Sequence, residues 1–419
     1  MAALFTNIKE LFQTRELAPD LLRGSSMDEV PSIKNAFMIV RGGRITSYGK
    51  MSDVPETAGL DLMDCTDYII TPGYVDSHTH LVYAATREAE FEQRIKGLSY
   101  EQIAASGGGI LNSARRLRAM SEDELYDQAL VRLKLVLSTG TTCIEIKSGY
   151  GLDLESELKM LRVIQRLKKT SINGARMTIK STFLGAHAIP PEFKNDRAAY
   201  IQLITDEILP AIATNQLADY IDVFCEKNYF TPQEMIHIMM AGAKHGLKPK
   251  VHVNQFNALG AVSDAVENGS VSVDHLEVMQ TSDYQSLSSS NTIATALPSC
   301  SFFLGLDYAP VKQMIDKDIA VALASDFNPG STPSGNMNFV YALACIKMGL
   351  TPDQALNALT INAAHALELA HQVGSITPGH RADLLFFKDV DNLARIPYSF
   401  GNNLISRVML EGIFVNNIS

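Results

Sequence analysis

Residues 69–80 read IITPGYVDSHTH, an apolar run that ends in two histidines separated by one residue. A short apolar run rich in β-branched residues is typical of a buried strand. Side chains at positions i and i+2 of a strand point to the same side. His78 and His80 can therefore face the same point at the end of this strand and share one metal ion there.

Seven more apolar runs of this kind follow, and amphipathic helical patterns lie between most of them. The predicted strands are 69–78, 141–147, 177–186, 220–225, 249–253, 270–275, 292–297 and 320–325. Eight strands that alternate with helices favour a closed parallel sheet. An open, doubly wound sheet is the alternative, but no GxGxxG motif follows the first strand. We predict an α/β fold with a (β/α)8, TIM-like barrel over residues 70–370.

The two chain ends show a different pattern, with short β-type runs and glycine turns. Residues 36–48 contain two such runs on either side of a Gly-Gly pair, which is a hairpin signal. Similar runs occur in 374–388 and 406–416. We therefore predict a small β-sandwich domain formed jointly by residues 1–69 and 371–419.

Composition argues against several classes of protein. The formal net charge of −10 does not favour nucleic-acid binding, because phosphate binding requires a basic surface. No uninterrupted run of about 18 apolar residues occurs, so we predict no membrane span. The first 20 residues lack the long apolar segment of a secretory signal. Five widely spaced cysteines without a CxxC pair indicate free thiols in a reducing compartment.

Metal-binding residue types recur where the predicted strands end. The residues at these ends are His78, His80, His187, His252, His275 and Asp326. Catalytic groups of (β/α)8 barrels come from the carboxyl ends of several strands. Three neutral imidazoles and one carboxylate suit Zn²⁺, with Fe²⁺ as the second choice. We predict one divalent metal ion bound by His78, His80, His252 and Asp326.

A metal ion at this position would lower the pKa of a bound water from about 16 towards 7. Asp326 could accept a proton and return it to a leaving nitrogen. His187 and His275 remain for the substrate, where either could polarise a carbonyl or orient the water. A single strand histidine is more often a packed core residue, so this interpretation depends on the whole set.

Three further residues are candidates for substrate contacts. Arg87 lies seven residues after His80, and a bidentate arginine suits a substrate carboxylate, although an exposed salt bridge is its commoner use. Tyr100 and Tyr150 could each donate a hydroxyl to a ligand, while packing in the core is the commoner role of tyrosine.

The segment after Asp326 adds Asn328, Gly330 and Ser331. The glycine would permit close approach of a ligand to the backbone, and the other two would supply hydrogen bonds. The alternative is a simple turn with a serine helix cap. The predicted fourth strand contains no lysine to bridge two metals, and Lys147 ends the second strand, so we expect a single ion.

Nine segments spread over most of the chain resemble those of a known enzyme family. They are PGYVDSHTHLVYAATRE (72–88), GGGI (107–110), EIKSGYGL (145–152), FLGAHAIPPE (183–192), DVFCE (222–226), DHL (274–276), ASDFNPGSTP (324–333), LNALTINAAHAL (356–367) and IPYSFGNN (396–403). The HxH pattern resembles the amidohydrolase superfamily in general. SGYG, SDFNPGS and PYSFGNN together are more specific and resemble the imidazolonepropionase family.

This resemblance implies metal-dependent hydrolysis of 4-imidazolone-5-propanoate to N-formimidoyl-L-glutamate, in histidine degradation. It implies the same four metal ligands as the strand pattern. It implies substrate contacts from Arg87, Tyr150, His187, Gln255, Asn328, Gly330 and Ser331. It also implies a cytoplasmic enzyme, often a homodimer.

One segment departs from the family pattern. The chain reads HVNQF after the fifth strand, whereas the family tends to have an acidic residue at Asn254, and some members have Glu at Gln255. Glutamine can orient a ring nitrogen but cannot accept a proton as a base. We therefore expect Asp326 with His275 to carry proton transfer and Gln255 to position the substrate.

Two other functions remain open at this point. A deaminase of a nucleobase-like heterocycle would use the same metal site, but a nucleobase has no carboxylate for Arg87 to bind. A non-catalytic scaffold would keep the barrel and lose metal ligands, whereas this sequence retains all four.

Overall fold

A parallel eight-stranded sheet forms the centre of the fold, with its strands in chain order. The computed structural model describes residues 2–56, 59–98, 102–103 and 107–415. The strands of this sheet are β6 Tyr74–Asp76, β7 Thr141–Lys147, β8 Thr178–Ala186, β9 Tyr220–Cys225, β10 Lys248–Val253, β11 Ser272–His275, β12 Ile293–Ala296 and β13 Val321–Leu323. Beyond the last strand, the backbone N–H of Asp326 donates to the carbonyl of His78, and that of His80 to Phe327. These contacts close the sheet, so the predicted barrel is confirmed.

The barrel strands are buried on both faces. All seven residues of β7 and all six of β9 are buried, as expected for parallel strands covered by helices. Continuous apolar runs predict such strands well, because both faces of each strand are buried. The predicted strands agree with the observed ones to within three residues for all but the first run.

The first predicted strand, 69–78, was wrong as a single element. The chain crosses between two sheets at Gly73, so that Tyr68–Pro72 forms β5 of the second sheet and only β6 belongs to the barrel. A Cβ at Gly73 would lie 2.1 Å from Oγ1 of Thr142. The crossing therefore needs glycine, since a side chain would collide with the neighbouring strand.

In the described residues, most helices lie between successive barrel strands in the chain, and the last four follow the final barrel strand. They are α1 Glu88–Ile95, α2 Gly109–Ala119, α3 Glu122–Ser138, α4 Leu154–Lys169, α5 Arg197–Gln202, α6 Leu209–Asn215, α7 Pro232–Lys244, α8 Ala261–Glu267, α9 Thr281–Ser288, α10 Pro298–Leu304, α11 Val311–Asp316, α12 Met337–Ile346, α13 Pro352–Leu359, α14 Ile361–Ala366 and α15 Arg395–Tyr398. A π-helical stretch, Leu203–Ile208, joins α5 to α6. Helix α7 begins after Thr231, whose side chain accepts from Glu234 N–H. Among the described residues, no helix is long and apolar enough to cross a membrane.

The two chain ends form a second sheet. Its strands are β1 Ala2–Phe12, β2 Ser32–Arg41, β3 Arg44–Lys50, β4 Asp61–Asp64, β5 Tyr68–Pro72, β14 Leu384–Lys388, β15 Ile405–Leu410 and β16 Ile413–Phe414. One apolar core joins residues from distant strands of this sheet, such as Ile45 and Met409. The β2–β3 hairpin is confirmed, and so is a separate β-structure from both chain ends. The exact domain boundaries stay predictions.

Candidate metal and substrate site

The four predicted metal ligands meet at the carboxyl end of the barrel. His78 Nε2 and His80 Nε2 each lie 3.6 Å from Oδ1 of Asp326. His252 Nε2 lies 3.3 Å from His80 Nε2. All four side chains are buried. His275 belongs to the same cluster, because its ring nitrogen lies within 4.8 Å of those of His78 and His252.

Two carboxylates beneath this cluster orient two of the imidazoles. Asp274 Oδ2 lies 2.6 Å from Nδ1 of His78, and Asp222 Oδ2 lies 2.9 Å from Nδ1 of His252. A carboxylate at Nδ1 fixes the tautomer in which Nε2 can bind a metal. Nε2 of His78 is buried and has no hydrogen-bond partner among the described residues. This orphaned nitrogen, within a donor set of imidazoles and a carboxylate, fits a divalent ion.

Burial sets the charge of the cluster. It lowers the pKa of His78 and His80 well below 6.5, and the pKa of His187 to about 3. Neutral imidazoles are the form that binds metal. His275 differs: burial would lower its pKa, but the charges of Glu277, Asp326 and Asp274 together outweigh burial and raise it.

The backbone is strained where two of these groups are placed. Asp326 has a φ of 55° and His275 a φ of 90°, which side-chain-bearing residues seldom adopt. Strain of this kind clusters at functional sites. It directs both side chains into the barrel mouth at the ends of β13 and β11.

A pocket beside the cluster contains most of the predicted substrate residues. They are Arg87, Tyr150, His187, Gln255, His275, Asn328 and Ser331. Tyr100 lies outside the described residues. A cavity of about 780 Å³ adjoins this pocket and shares Ile110 and Phe256 with it. The structure thus brings the candidate substrate groups to the metal cluster and leaves space next to them.

Tyr150 and His187 are held in place by the SGYG turn. The Glu157 carboxylate accepts hydrogen bonds from the backbone N–H groups of Gly149, Gly151 and Leu152 at 2.8–3.0 Å. The Gly149 carbonyl lies 2.9 Å from Nδ1 of His187. These bonds fix the turn after β7, and the pocket residues it carries, against the end of β8.

The residues after Asp326 divide between turn formation and the pocket. Asn328 Oδ1 accepts from the N–H groups of Gly330 and Ser331, both at 2.8 Å, and its Nδ2 donates to the Asp326 carbonyl. Asn328 therefore shapes the turn as well as lining the pocket. A Cβ at Gly330 would lie 2.3 Å from Nη1 of Arg87, so this glycine admits the arginine side chain. The Ser331 hydroxyl donates to Asp326 Oδ2 at 3.3 Å.

Comparisons with known proteins agree with this geometry. The model of the amidohydrolase family matches residues 69–415. An imidazolonepropionase of Flavobacterium johnsoniae is 49% identical over 98% of this chain and 99% of its own length. Another from Christiangramia forsetii is 50% identical with the same coverage. The chain belongs to the imidazolonepropionase family of amidohydrolases.

Two solved structures have the same fold as this chain. A triazine hydrolase variant has a TM-score of 0.75 at 14% identity and covers 99% of this chain and 94% of its own. A guanine deaminase from C. acetobutylicum has a TM-score of 0.70 at 17% identity, with 99% and 100% coverage. At such identities the likeness shows the fold alone.

Sequence reasoning missed a buried ionic network beneath the imidazolonepropionase-type site. Lys147 Nζ lies 2.8 Å from Glu145 Oε1, 2.7 Å from Asp222 Oδ2 and 3.8 Å from Asp274 Oδ2. Lys250 Nζ contacts Glu145 Oε2 at 2.5 Å. All five side chains are fully buried. Charged residues inside otherwise apolar strands were the available signal, since such groups need buried partners.

The network lowers the pKa of Glu145 and Asp222, whereas burial raises the pKa of Asp274. Burial alone would raise the pKa of Asp222, but its contacts with His252 and Lys147 outweigh burial and hold that pKa well below the usual value. Lys147 is likewise held in its charged form, because three carboxylates outweigh the effect of burial and raise its pKa. Both Nζ hydrogen bonds of Lys147 are directed at carboxylates, so this lysine joins Glu145 to Asp222.

Proposed function

We propose that the protein hydrolyses the cyclic amide of 4-imidazolone-5-propanoate to N-formimidoyl-L-glutamate, a step of histidine degradation. The observation that carries this proposal is the full-length identity of 49–50% to imidazolonepropionases. The site supports it independently, because the metal-type cluster and Arg87 lie on one pocket. Hydrolysis of a ring amide requires the water that a metal ion at this cluster would activate. Arg87 is suited to bind the propionate tail of the substrate.

One divalent ion would be held by His78, His80, His252 and Asp326, and it supplies an activated water when bound. We propose zinc, with iron as the second choice, because imidazole and carboxylate donors suit both. Asp326 accepts the proton that the water loses and returns it to the ring nitrogen that leaves. The carbonyl carbon gains the hydroxyl, its bond to nitrogen breaks, and a carboxylate and a formimidoyl group result.

The remaining pocket residues bind and orient the substrate. His275, whose pKa is raised, stabilises the negative charge that develops on the carbonyl oxygen. His187 stays neutral and provides a hydrogen bond, with its ring fixed through Gly149. Arg87 binds the propionate, and Gln255 orients the ring. A nucleobase has no carboxylate for Arg87 to bind, which disfavours a deaminase.

We propose further that the protein is a cytoplasmic homodimer. Five unpaired cysteines support a reducing compartment. The IPYSFGNN segment supports a second copy as partner, since Tyr398 is 73% exposed and Phe400 is 63% exposed, and exposed aromatic groups often mark an interface. Light scattering should give twice the chain mass for the wild type, and the chain mass for Y398E/F400E.

The experiment that tests the reaction is turnover of freshly generated 4-imidazolone-5-propanoate, followed by loss of its ultraviolet absorbance. Activity should disappear on chelation and return with Zn²⁺ or Fe²⁺, and the product should be formimidoyl-glutamate by mass spectrometry. Turnover that survives complete metal removal would contradict the metal role. No turnover of this compound, with ammonia release from heterocyclic amines instead, would favour a deaminase.

A further inference from the structure

Glu90 is a buried carboxylate next to the substrate pocket that the proposed reaction does not use. It lies on α1 and is 7% exposed. Its Oε2 accepts a hydrogen bond from Nε of Arg87 at 2.8 Å. Its Oε1 accepts from the backbone N–H of Gly109 at 3.1 Å and from Asn112 Nδ2 at 3.4 Å. One carboxylate thus joins the candidate carboxylate-binding arginine to the beginning of α2.

These contacts fix the orientation of the Arg87 side chain. Guanidinium carries its N–H donors in a rigid plane, so a bond at Nε sets the directions of the Nη groups. The plane also lies close to the backbone at Gly330, where a Cβ would approach Nη1 to 2.3 Å. Glu90 therefore holds one edge of the guanidinium, while the 326–331 turn limits its position from the other side.

The glycines of the GGGI segment make this arrangement possible. A Cβ at Gly108 would lie 2.9 Å from the Ile103 carbonyl and 3.1 Å from Glu90 Oε1. Gly109 has a φ of 74°, a conformation that favours glycine. Helix α2 therefore begins without a local capping side chain. The carboxylate of Glu90, on α1, accepts from its first N–H, that of Gly109. This accounts for a sequence feature that the chemistry of the metal site leaves unexplained.

The negative charge of Glu90 would repel a bound carboxylate, but three hydrogen-bond donors share this charge. Its oxygens are shared among a guanidinium, a backbone N–H at a helix N-terminus and an amide. Charge-assisted bonds of this kind are strong and geometrically selective. An arginine held in advance loses less side-chain entropy when a ligand binds.

We propose that Glu90 is a positioning residue for substrate selection: it orients Arg87 so that the site favours imidazolones with a carboxylate side chain. The proposal rests on the proposed function, in which Arg87 binds the propionate. It adds that selectivity depends on the link from Arg87 through Glu90 to α2.

The test compares E90A and E90Q on two substrates, 4-imidazolone-5-propanoate and the corresponding neutral propanamide. We expect E90A to lower kcat/KM for the propanoate by about tenfold or more, mainly through KM, and to change the propanamide by less than about threefold. E90Q should restore only part of the loss, because its one amide oxygen can still accept from Nε of Arg87, whereas the N–H of Gly109 then loses its acceptor. E92A is the matched control, since Glu92 lies exposed on the same helix.

Each other result would overturn the proposal. Equal losses of kcat/KM on both substrates would mean a structural role for Glu90. A lower KM for the propanoate in E90A would mean that Glu90 opposes anion binding. If the wild type turned over neither compound, the proposed reaction would fail by itself. Calorimetric binding of imidazole-4-propanoate and its amide would then still decide the role of Glu90, because E90A must lose affinity for the anion alone.

Discussion

Nδ1 of His78 lies 2.6 Å from Oδ2 of Asp274, and both side chains are fully buried. The bond directs Nε2 of His78 towards Asp326, 3.6 Å away. Asp274 lies two residues after Ser272 on β11. The Ser272 hydroxyl donates to Oδ1 of Asp274, the oxygen that does not face His78, at 2.6 Å. The His78 ring is thus oriented by a neighbouring strand, with Nε2 directed into the histidine cluster.

The first prediction is that D274N lowers metal affinity about 10- to 100-fold, the usual effect of losing a carboxylate behind a ligating histidine. The amide fills the same space but supplies no charge to hold the Nδ1 proton. Competition with a coloured chelator measures the affinity directly. D316N is the control, because Asp316 lies exposed on α11. Unchanged affinity in D274N would show that His78 is oriented by something else.

A second prediction concerns Lys147, which contacts Asp222 and Asp274 from one Nζ. K147M should lower the free energy of unfolding by about 3–5 kcal/mol, because it leaves buried carboxylates without a counter-charge. K248M should cost less than about 1 kcal/mol, since Lys248 pairs with Glu368 at the surface. Urea denaturation of the metal-free variants measures both. Similar losses in the two variants would contradict a special role for the buried ion pairs.

The clustering of the candidate ligands could be predicted from sequence, because strand periodicity and barrel geometry constrain where these side chains lie. His78 and His80 share a face by alternation along the chain, and the carboxyl ends of parallel strands meet at one rim. Residue type at each strand end then identified Asp326 and the other histidines without knowledge of distances. This reasoning needs only local patterns, which the sequence displays directly.

The partners of these ligands could not be predicted in the same way. Asp222 and Lys147 come from strands separated by more than 70 residues, and their pairing depends on barrel register. Gly330 illustrates a related limit: sequence suggested close approach of a ligand to it, whereas the nearby group is Arg87. Contacts between side chains of distant segments are set by packing, and no short motif records them.

The third prediction separates two roles within the pocket. D326N should lower kcat about a thousandfold, because it removes the proposed proton acceptor. Q255A should mainly raise KM, since Gln255 contacts Cys300 Sγ at 3.4 Å and can orient a ring but not accept its proton. Steady-state kinetics of metal-loaded variants, with metal content determined, distinguish these effects. A large loss of kcat in Q255A with mild effects in D326N would reverse the assignment.

The last prediction concerns acid stability and His380, which lies in the loop before β14. This side chain is 3% exposed, and burial lowers its pKa below 6.5. The unfolded chain therefore binds a proton at a higher pH than the folded chain does, so stability is retained above about pH 6.5 and declines below it. H380Q cannot titrate and should lose less unfolding free energy between pH 8 and pH 5.5 than the wild type. Urea denaturation of metal-free protein at both pH values measures this, with H237Q as the control because His237 is exposed. An H380Q variant with the pH dependence of the wild type would place the acid sensitivity in other groups.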